Sequence, residues 1–366
     1  GTGLVALHSR SDVRLGRNCY LRKRRHVLLL VQRRAAARKL RHLEVPVDSE
    51  RGGLLFTAAR VVRADGMVVE LSEQDAFTVG SAPDDNPFSA VNRQRGGIWI
   101  LPDLEHGDVV EYVYDTAKFG PEKREDWAVF APASLCVSGV PTLAAEADFT
   151  VPEGRQILIA PRNTDVEAVG RKSGEGTLRT ARFRAARVQP RINRGDPYQP
   201  SALEPLVACG LAGRTWENVP SLPFAKVRAT VESVAELPAV LAEAVGPTED
   251  PGAALRRAFY WIRDHIKYGA LSSAAEILES PERAERLVAA GVGDCKDVTF
   301  LLAVACRSLD IPHEEVLVST RHGLVFEDLP ADQFDHVILR ARLEGEWRYL
   351  DASSQYAVFD GTPIPH

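Results

Sequence analysis

Residues 291–297 read Gly-Val-Gly-Asp-Cys-Lys-Asp and stand immediately before an apolar stripe with helical spacing. The stripe predicts a buried helix face, and its members are Val298, Leu301, Leu302, Ala305 and Leu309. The two glycines permit a tight turn that places Cys295 at the N-terminus of this helix. Unpaired N–H groups and the helix macrodipole favour a thiolate at that position. Cys295 is therefore a candidate nucleophile, and the alternative is an inert buried thiol, which is our interpretation of Cys306 further along the helix.

A strand pair downstream supplies a histidine and a carboxylate. Residues 334–339 read Phe-Asp-His-Val-Ile-Leu, and residues 347–351 read Trp-Arg-Tyr-Leu-Asp. If Glu344 and Gly345 are the central residues of a hairpin, His336 and Asp351 become diagonal neighbours on one face. The carboxylate can then fix the imidazole tautomer so that the second ring nitrogen meets a thiol, as in catalytic triads. The alternative is a histidine and an aspartate on a solvated sheet face.

The first half of the chain has the pattern of an antiparallel β-sandwich. Short apolar and β-branched runs, bounded by Gly, Pro, Asp and Asn, follow one another from about residue 15 to residue 187. Leu54–Val62 and Met67–Leu71 flank Ala64-Asp65-Gly66, a good hairpin turn because glycine tolerates a positive φ. The other predicted strands are Gly97–Leu101, Val109–Tyr114, Trp127–Val137, Ala144–Val151, Gln156–Ala160 and Leu178–Val188.

The second half of the chain changes to helical periodicity. Residues 188–205 contain four prolines, which predicts a boundary. Asp250-Pro251 and Ser280-Pro281 are helix-start signals, and strand patterns return at residues 315–319, 334–343 and 346–352. We therefore predict a β-sandwich at residues 1–190, a proline-rich linker and connecting segment at 191–224, and an α+β domain at 225–366.

The motifs around Cys295, His336 and Asp351 resemble, in order, those of the transglutaminase-like (papain-like cysteine) fold. Residues 293–297, 334–338 and 349–352 carry this resemblance, and residues 261–268 resemble the helix that precedes the nucleophile in these proteins. Residues 60–71, 99–112 and 144–152 resemble DUF3857, a β-sandwich domain that bacteria fuse in front of a transglutaminase-like domain. The predicted fold class is therefore multidomain, with a DUF3857-like antiparallel β-sandwich followed by an α+β transglutaminase-like domain.

The resemblance implies a Cys295 nucleophile, a His336 general base and acid, and an Asp351 orienter. Such a triad forms an acyl-thioester from a peptide or amide carbonyl and passes the acyl group to an amine or to water. The oxyanion hole would use the Cys295 backbone N–H and a second donor, for which Tyr268 and Trp261 are candidates. The alternative is that both are aromatic residues of the core. The rival hypothesis is a catalytically silent binding or scaffold protein that recruits a partner through its β-sandwich.

Composition and charge limit the other classes of function. With 45% hydrophobic and 26% charged residues, the chain is typical of a folded protein, and it lacks the run of about 20 apolar residues that spans a membrane. Residues 1–45 carry 12 basic against two acidic residues, a net charge of +10, whereas the rest of the chain is −15. A nucleic-acid patch at residues 10–41 is one interpretation. A solvated strand face is the one we favour, because its arginines alternate with apolar residues.

The cysteine and histidine patterns give no support for a metal. The five cysteines are widely spaced without a Cys-x-x-Cys pair, and the nine histidines form no His-Glu-x-x-His motif. We therefore expect no metal and no cofactor. The expected partner is a peptide, a protein or an amide-containing small molecule, without nucleic acid. We expect a cytoplasmic location, or an extracytoplasmic one if an N-terminal signal has been removed.

Overall fold

A computed structural model of the chain divides it into two compact units. Unit 1 comprises Gly1–Ala82, Arg93–Pro220 and His322–Asp332, and unit 2 comprises Pro83–Asn92, Ser221–Arg321 and Gln333–His366. The structure describes residues 3–16, 21–45, 52–71, 76–79, 96–118, 131–137, 139–152, 155, 157–164, 167–172, 179–189, 205–217, 219, 231, 234, 237–247, 249–269, 283–319, 325–331, 333–334 and 336–359.

Unit 1 is built mainly from strands. Its described elements are β1 (Leu4–Leu15), β2 (Leu21–Val31), α1 (Arg34–Lys39), β3 (His42–Val45), β4 (Gly52–Val62), β5 (Val68–Leu71), β6 (Ala76–Val79), β7 (Gly96–Ile100), β8 (Val109–Lys118), β9 (Ala131–Ser134), β10 (Thr142–Val151), β11 (Ile157–Arg162), β12 (Glu167–Lys172), β13 (Arg179–Val188) and β14 (Leu206–Leu211).

These strands form one large sheet and two small ones. The large sheet has the order β12-β13-β10-β1-β2-β8-β4-β5, and the small sheets are β3-β7-β6 and β11-β14-β9. Neighbouring strands of the large sheet are antiparallel except for β1 and β10, which are parallel. One core contains Val13, Phe149 and Val207 and lies between the large sheet and β11-β14-β9. A second core, with Val27 and Trp99, lies between the large sheet and β3-β7-β6. The predicted β-sandwich is confirmed.

The predicted hairpin at residues 64–66 is present. Val62 pairs with Val68, and Gly66 in the turn has a φ of 92°, a conformation that side chains with a Cβ rarely adopt. Asp65 Oδ1 accepts a hydrogen bond from the Met67 backbone N–H at 2.9 Å. The local turn chemistry therefore fixes the register of β4 and β5.

The connecting segment predicted at residues 191–224 contains a strand that the sequence pattern did not indicate. β14 is fully buried and lies between β11 and β9. Residues 206–211 are therefore part of a sheet and not linker. Ala208, Cys209 and Gly210 have little intrinsic strand preference, so β14 depends on pairing along both edges. The prolines between residues 190 and 204 lie outside the described residues, and the three-part division of the chain stays a prediction.

Residues 325–331, called the strap here, belong to unit 1 although they lie between the last strands of unit 2 in sequence. Phe326, Leu329 and Ala331 form a buried cluster with Leu206 and Ala208 of β14. A Cβ at position 210 would stand 2.9 Å from Leu329 Cδ1, so the strap lies directly against the small sheet. The strap thus completes a core that begins more than a hundred residues earlier in the chain.

Arginines of the basic N-terminal region pair with carboxylates on the outer side of the large sheet. Arg24 Nε donates to Asp115 Oδ1 at 2.7 Å, and Arg22 binds the same carboxylate. Asp148 is held in the same way by Arg10 at 2.7 Å and Arg182 at 2.6 Å. We call this set, which also contains Asp12, the ionic face; its members are Arg10, Asp12, Arg22, Arg24, Asp115, Asp148 and Arg182.

Unit 2 combines helices with a three-stranded sheet. Its described elements are α2 (Ala239–Val245), α3 (Pro251–His265), β15 (Lys267–Tyr268), α4 (Arg283–Ala290), β16 (Val292–Gly293), α5 (Cys295–Ser308), β17 (His313–Val318), β18 (His336–Leu343) and β19 (Glu346–Leu350). In the core of unit 2, α3, β18 and β19 pack around α5, which is almost completely buried. Within the described ranges, the helices are too short or too polar to cross a membrane.

The helix-start signals of unit 2 are confirmed where the structure describes them. Asp250 caps α3 by accepting hydrogen bonds from the N–H groups of Gly252 and Ala253, and Pro251 is the first helical residue. The apolar stripe after Cys295 forms α5. Ser280 and Pro281 lie outside the described residues.

The predicted hairpin register is also confirmed. Leu343 pairs with Glu346 and Leu339 with Leu350, which makes Glu344 and Gly345 the two turn residues. Both have positive φ, 52° and 87°, as a two-residue hairpin turn of this type requires. His336 therefore begins β18 close to the point where the returning strand ends.

Candidate active site

Cys295 is the first residue of α5, and its surroundings are built by a capping box. Asp294 Oδ1 accepts hydrogen bonds from the N–H groups of Lys296 at 2.8 Å and Asp297 at 3.3 Å. Asp297 Oδ2 accepts in return from the Asp294 N–H at 3.0 Å. Lys296 Nζ binds Asp294 as well, so Lys296 and Asp297 both form local bonds within the first turn. Cys295 is 7% exposed, and this frame fixes its position at the helix N-terminus.

Gly293 is required by close packing in this turn. A Cβ at position 293 would stand 2.7 Å from the Cβ of Asp297, closer than two carbon atoms can approach. The turn is also tied to the strand before it, because β15 and β16 pair in parallel. Glycine at this position therefore lets the Asp297 carboxylate reach back to the Asp294 N–H.

His336 and Asp351 form the hydrogen bond that the hairpin register predicts. His336 Nε2 lies 2.9 Å from Asp351 Oδ2, and both side chains are 5% exposed. The other carboxylate oxygen of Asp351 accepts from the Ser353 N–H at 3.1 Å and from the Ser353 hydroxyl. Asp351 is thus held on both sides, and Nδ1 of His336 is the ring nitrogen available to a thiol.

Hydrogen bonding outweighs burial in setting the protonation of this pair. Burial opposes the charge on His336, but hydrogen bonds with Asp351 and Cys295, and their negative charges, raise the pKa of His336 to about 9. Burial likewise works against the Asp351 carboxylate, yet bonds from His336 and Ser353 hold its pKa below the usual value. At neutral pH the pair is therefore imidazolium and carboxylate, with Cys295 hydrogen-bonded to the imidazolium.

Tyr268 lies beside the thiol. It pairs with Gly293 across β15 and β16, and its hydroxyl forms a hydrogen bond with Cys295. Burial, reinforced by the negative charges of Cys295 and Asp294, raises the pKa of Tyr268. The hydroxyl therefore keeps its proton at neutral pH and can donate a hydrogen bond at this site.

Trp261, the other candidate oxyanion donor, lies in a different environment. Its ring stacks on His265 with centroids 4.4 Å apart, and it packs partly buried against the core of unit 2. The contacts that the structure describes for Trp261 do not bring it to Cys295. Of the two candidates, Tyr268 is the one whose described contacts include a hydrogen bond with Cys295.

The other described cysteines are buried among apolar side chains. Burial raises the pKa of Cys209 to about 12 and that of Cys306 further. Cys306 is in α5 and fully buried, as predicted for an inert thiol. A histidine partner, a carboxylate behind it and a helix N-terminus therefore distinguish Cys295 from these thiols.

Two residues near the site were not selected from the sequence. Ser353 bonds Asp351, and Arg283 is buried with Asp297. The predicted hairpin register places Ser353 opposite His336, so Ser353 could have been identified from the sequence. Arg283 follows Pro281-Glu282 at a helix start, where charged residues are usually solvated, so its burial has no local signal.

The described residues contain no group of three or more His, Cys, Asp or Glu side chains able to hold a metal ion. The chemistry available to the described residues around Cys295 is that of a thiol, an imidazole, a carboxylate and a phenol. Groups of this kind can perform nucleophilic and acid–base steps on a carbonyl.

Comparison with solved structures supports the fold. A candidate protease from Parabacteroides distasonis ATCC 8503 matches with a TM-score of 0.70 and 12% identity, over 100% of this chain and 73% of that one. At this identity the likeness shows the fold alone. An M1 zinc metallopeptidase from Deinococcus radiodurans matches 64% of this chain and 54% of its own, at 12% identity and a TM-score of 0.32. This TM-score is too low to indicate a common fold. The comparison with curated proteins found no match.

Family models match both halves of the chain. The model of a domain of unknown function with a solved structure, DUF3857, matches residues 21–192. The model of the transglutaminase-like superfamily matches residues 238–352, a range that contains Cys295, His336 and Asp351. The chain therefore carries a DUF3857 domain followed by a domain of the transglutaminase-like superfamily.

Proposed function

We propose that this protein is a cysteine enzyme that forms an acyl-thioester on Cys295 from a peptide or amide carbonyl. The observation that supports this most strongly is the placement of His336, which is hydrogen-bonded to both Asp351 and Cys295. A binding protein has no need of a buried imidazolium beside a thiol at a helix N-terminus, because burying such charges costs stability.

The proposed reaction begins with attack of the Cys295 thiolate on the carbonyl carbon. The negative charge that develops on the carbonyl oxygen would be stabilised by the Cys295 backbone N–H, which has no intrahelical acceptor at the first helical position, and by the Tyr268 hydroxyl. His336 then gives its proton to the leaving nitrogen, the C–N bond breaks, and an amine departs. The acyl group remains on sulfur as a thioester.

The second half of the proposed reaction releases the acyl group. An amine or a water molecule attacks the thioester carbon, and neutral His336 accepts the proton of the incoming nucleophile. The C–S bond breaks and the thiolate–imidazolium pair is restored. With an amine the result is acyl transfer and a new amide; with water it is hydrolysis.

Selective alkylation tests the nucleophile. Full-length protein is treated with iodoacetamide at pH 6, and the labelled cysteines are located by mass spectrometry. We expect Cys295 to react far faster than Cys306 and Cys209. Equal, slow labelling of the three thiols would contradict the proposal and favour the silent scaffold.

Trapping of the intermediate tests the chemistry. Wild-type protein and Cys295→Ala are incubated with a cell lysate and quenched in acid, and the mass added to the peptide containing residue 295 is measured. We expect an acyl adduct in wild type alone. A labelled primary amine, added in parallel, distinguishes transfer from hydrolysis because only transfer incorporates the label.

A further inference from the structure

A second buried ion pair lies against the turn that carries Cys295, and the proposed reaction does not use it. Arg283 is the first residue of α4, and its side chain is fully buried. Its Nη2 donates to Asp297 Oδ1 at 2.6 Å, and the Asp297 side chain is 2% exposed. The guanidinium carbon also lies 4.3 Å from the centre of the Phe300 ring.

Asp297 links this arginine to the backbone that precedes the nucleophile. Its Oδ2 accepts from the Asp294 N–H at 3.0 Å, while its Cβ packs so closely on Gly293 that no side chain fits there. One carboxylate is therefore held by Arg283 through one oxygen and holds Asp294 through the other. The Asp294 side chain in turn caps the first turn of α5, which begins with Cys295.

Stability alone does not account for this arginine. Within the part of the chain that the structure describes, Nε and Nη1 of Arg283 are buried without a hydrogen-bond partner. A buried polar group left unpaired costs about 1–3 kcal/mol, and apolar residues of similar volume often stabilise a protein better than a buried ion pair. A buried ion pair with this cost, one hydrogen bond from the backbone that precedes Cys295, points to a role in positioning that backbone.

We propose that the Arg283–Asp297 ion pair is a positioning pair, which holds the Asp294–Cys295 backbone so that the thiol meets His336. Arg283 does not touch the reacting atoms and acts through Asp297. The catalytic consequence rests on the proposed function, whereas the positioning itself concerns only the geometry of the turn.

The test compares three variants of the full-length protein. Arg283→Met removes the charge and the hydrogen bond, and Arg283→Lys keeps the charge but loses the planar fork. Arg307→Met is the control, because Arg307 lies in the last turn of α5, at the end opposite Cys295, and donates to the Val234 carbonyl at 3.0 Å. Two quantities are measured: the rate of Cys295 alkylation by iodoacetamide, and hydrogen exchange of the peptide that contains Asp294.

For Arg283→Met we expect alkylation slower by on the order of 10- to 100-fold, since small misplacements of reacting groups have effects of this size, together with faster exchange at Asp294. Arg283→Lys should give intermediate values, and if Arg283→Met does not fold, Arg283→Lys alone decides. Arg307→Met should lower the Tm and leave both quantities unchanged.

The proposal is overturned if folded Arg283 variants alkylate and exchange like wild type. It is equally overturned if Arg307→Met slows alkylation as much as Arg283→Met does, because the effect would then follow stability. If wild-type Cys295 shows no selective alkylation, the proposed function fails, and the exchange measurement still decides whether Arg283 holds the turn.

Discussion

The ionic face of unit 1 and the surroundings of Cys295 in unit 2 both consist of paired charges, but they differ in exposure and in redundancy. On the ionic face the arginines are 26–45% exposed, and Asp115 and Asp148 each bind two of them. Around Cys295 the side chains of His336, Asp351, Arg283 and Asp297 are at most 5% exposed.

The difference predicts how each region responds to mutation. The carboxylates of Asp115 and Asp148 are themselves only 0% and 5% exposed, but each keeps one arginine when the other is removed. Where a buried charged group has a single charged partner, removing one of the two leaves the other charge uncompensated. We therefore expect small effects on the ionic face and large ones around Cys295.

The largest effect is expected for the proposed nucleophile and its histidine partner. Cys295→Ala and His336→Ala should each reduce turnover by roughly 10⁵-fold or more, as for members of other catalytic triads that act as a unit. Neither change removes much core volume, so the circular dichroism spectrum should stay close to wild type. The Tm should also stay close for Cys295→Ala, whereas His336→Ala leaves the buried Asp351 carboxylate without its partner and should lower the Tm. Turnover of Cys295→Ala at the wild-type rate would contradict the entire interpretation of the site.

A smaller loss is expected for the orienting carboxylate. Asp351→Asn keeps the shape of the side chain but can no longer hold an imidazolium, so we expect roughly 10²- to 10⁴-fold lower turnover with residual activity. Ser353→Ala, which leaves His336 bonded to Asp351, serves as the milder control. A fully active Asp351→Asn enzyme would remove Asp351 from the triad.

The charge on His336 should appear in the pH dependence of stability. Its pKa is raised from 6.5 to about 9 in the folded protein, so its contribution is fully present below pH 6.5 and is lost as the pH rises through 9. We expect the difference in free energy of unfolding between wild type and His336→Gln to shrink over this window, by on the order of 3 kcal/mol. Urea unfolding at pH 6 and pH 9.5 measures it. A difference that is constant with pH would show that folding does not shift the pKa of His336.

Close packing at Gly293 gives a further test. Gly293→Ala places a Cβ 2.7 Å from that of Asp297, so we expect a loss of about 1–3 kcal/mol in stability and slower Cys295 alkylation. Gly66→Ala in the β4–β5 turn is the control, because it has a φ of 92° but no atom within 4 Å of the added Cβ. It should cost about 1–2 kcal/mol without changing the thiol. Equal alkylation rates in both variants would contradict the role of Gly293.

The smallest effect is expected on the ionic face. Arg10→Ala leaves Asp148 bound to Arg182 at 2.6 Å, so the loss in free energy of unfolding should be within about 1 kcal/mol. It should shrink further at high salt, because exposed charges are screened. A loss of several kcal/mol would erase the contrast between the two regions.

The features that the sequence predicts correctly are those determined by short-range chemistry. Asp250 caps its helix through neighbouring N–H groups, Cys295 begins α5 after the glycine turn, and Glu344-Gly345 sets the hairpin register through backbone conformation. That register brings His336 to Asp351 without further information. Both family resemblances and the fold class could be predicted from the sequence for the same reason, because the motifs that carry them are short and local.

The features that it does not predict depend on distant parts of the chain. β14 has no strand pattern of its own and exists through its two neighbours, and the parallel contact of β1 with β10 joins strands far apart in sequence. Tyr268 is a candidate from the sequence, but the parallel bridge of two residues that brings it to Cys295 is not predicted. From its place in the sequence Arg283 resembles a solvated residue at a helix start, and it is buried because α5 packs against it in the folded unit. Burial of this kind is a property of the assembled unit.

The strap has a consequence for the order in which the molecule is completed during synthesis. β14 leaves the ribosome about 120 residues before the strap, which at 5–20 residues per second is a delay of roughly 6–24 s. Throughout that interval Leu206 and Ala208 lack the cover of Phe326 and Leu329. A nascent chain at this stage exposes an apolar strip on a small sheet, which is a surface that chaperones recognise and that aggregates. The N-terminal unit is therefore finished only by residues translated about 120 positions after β14.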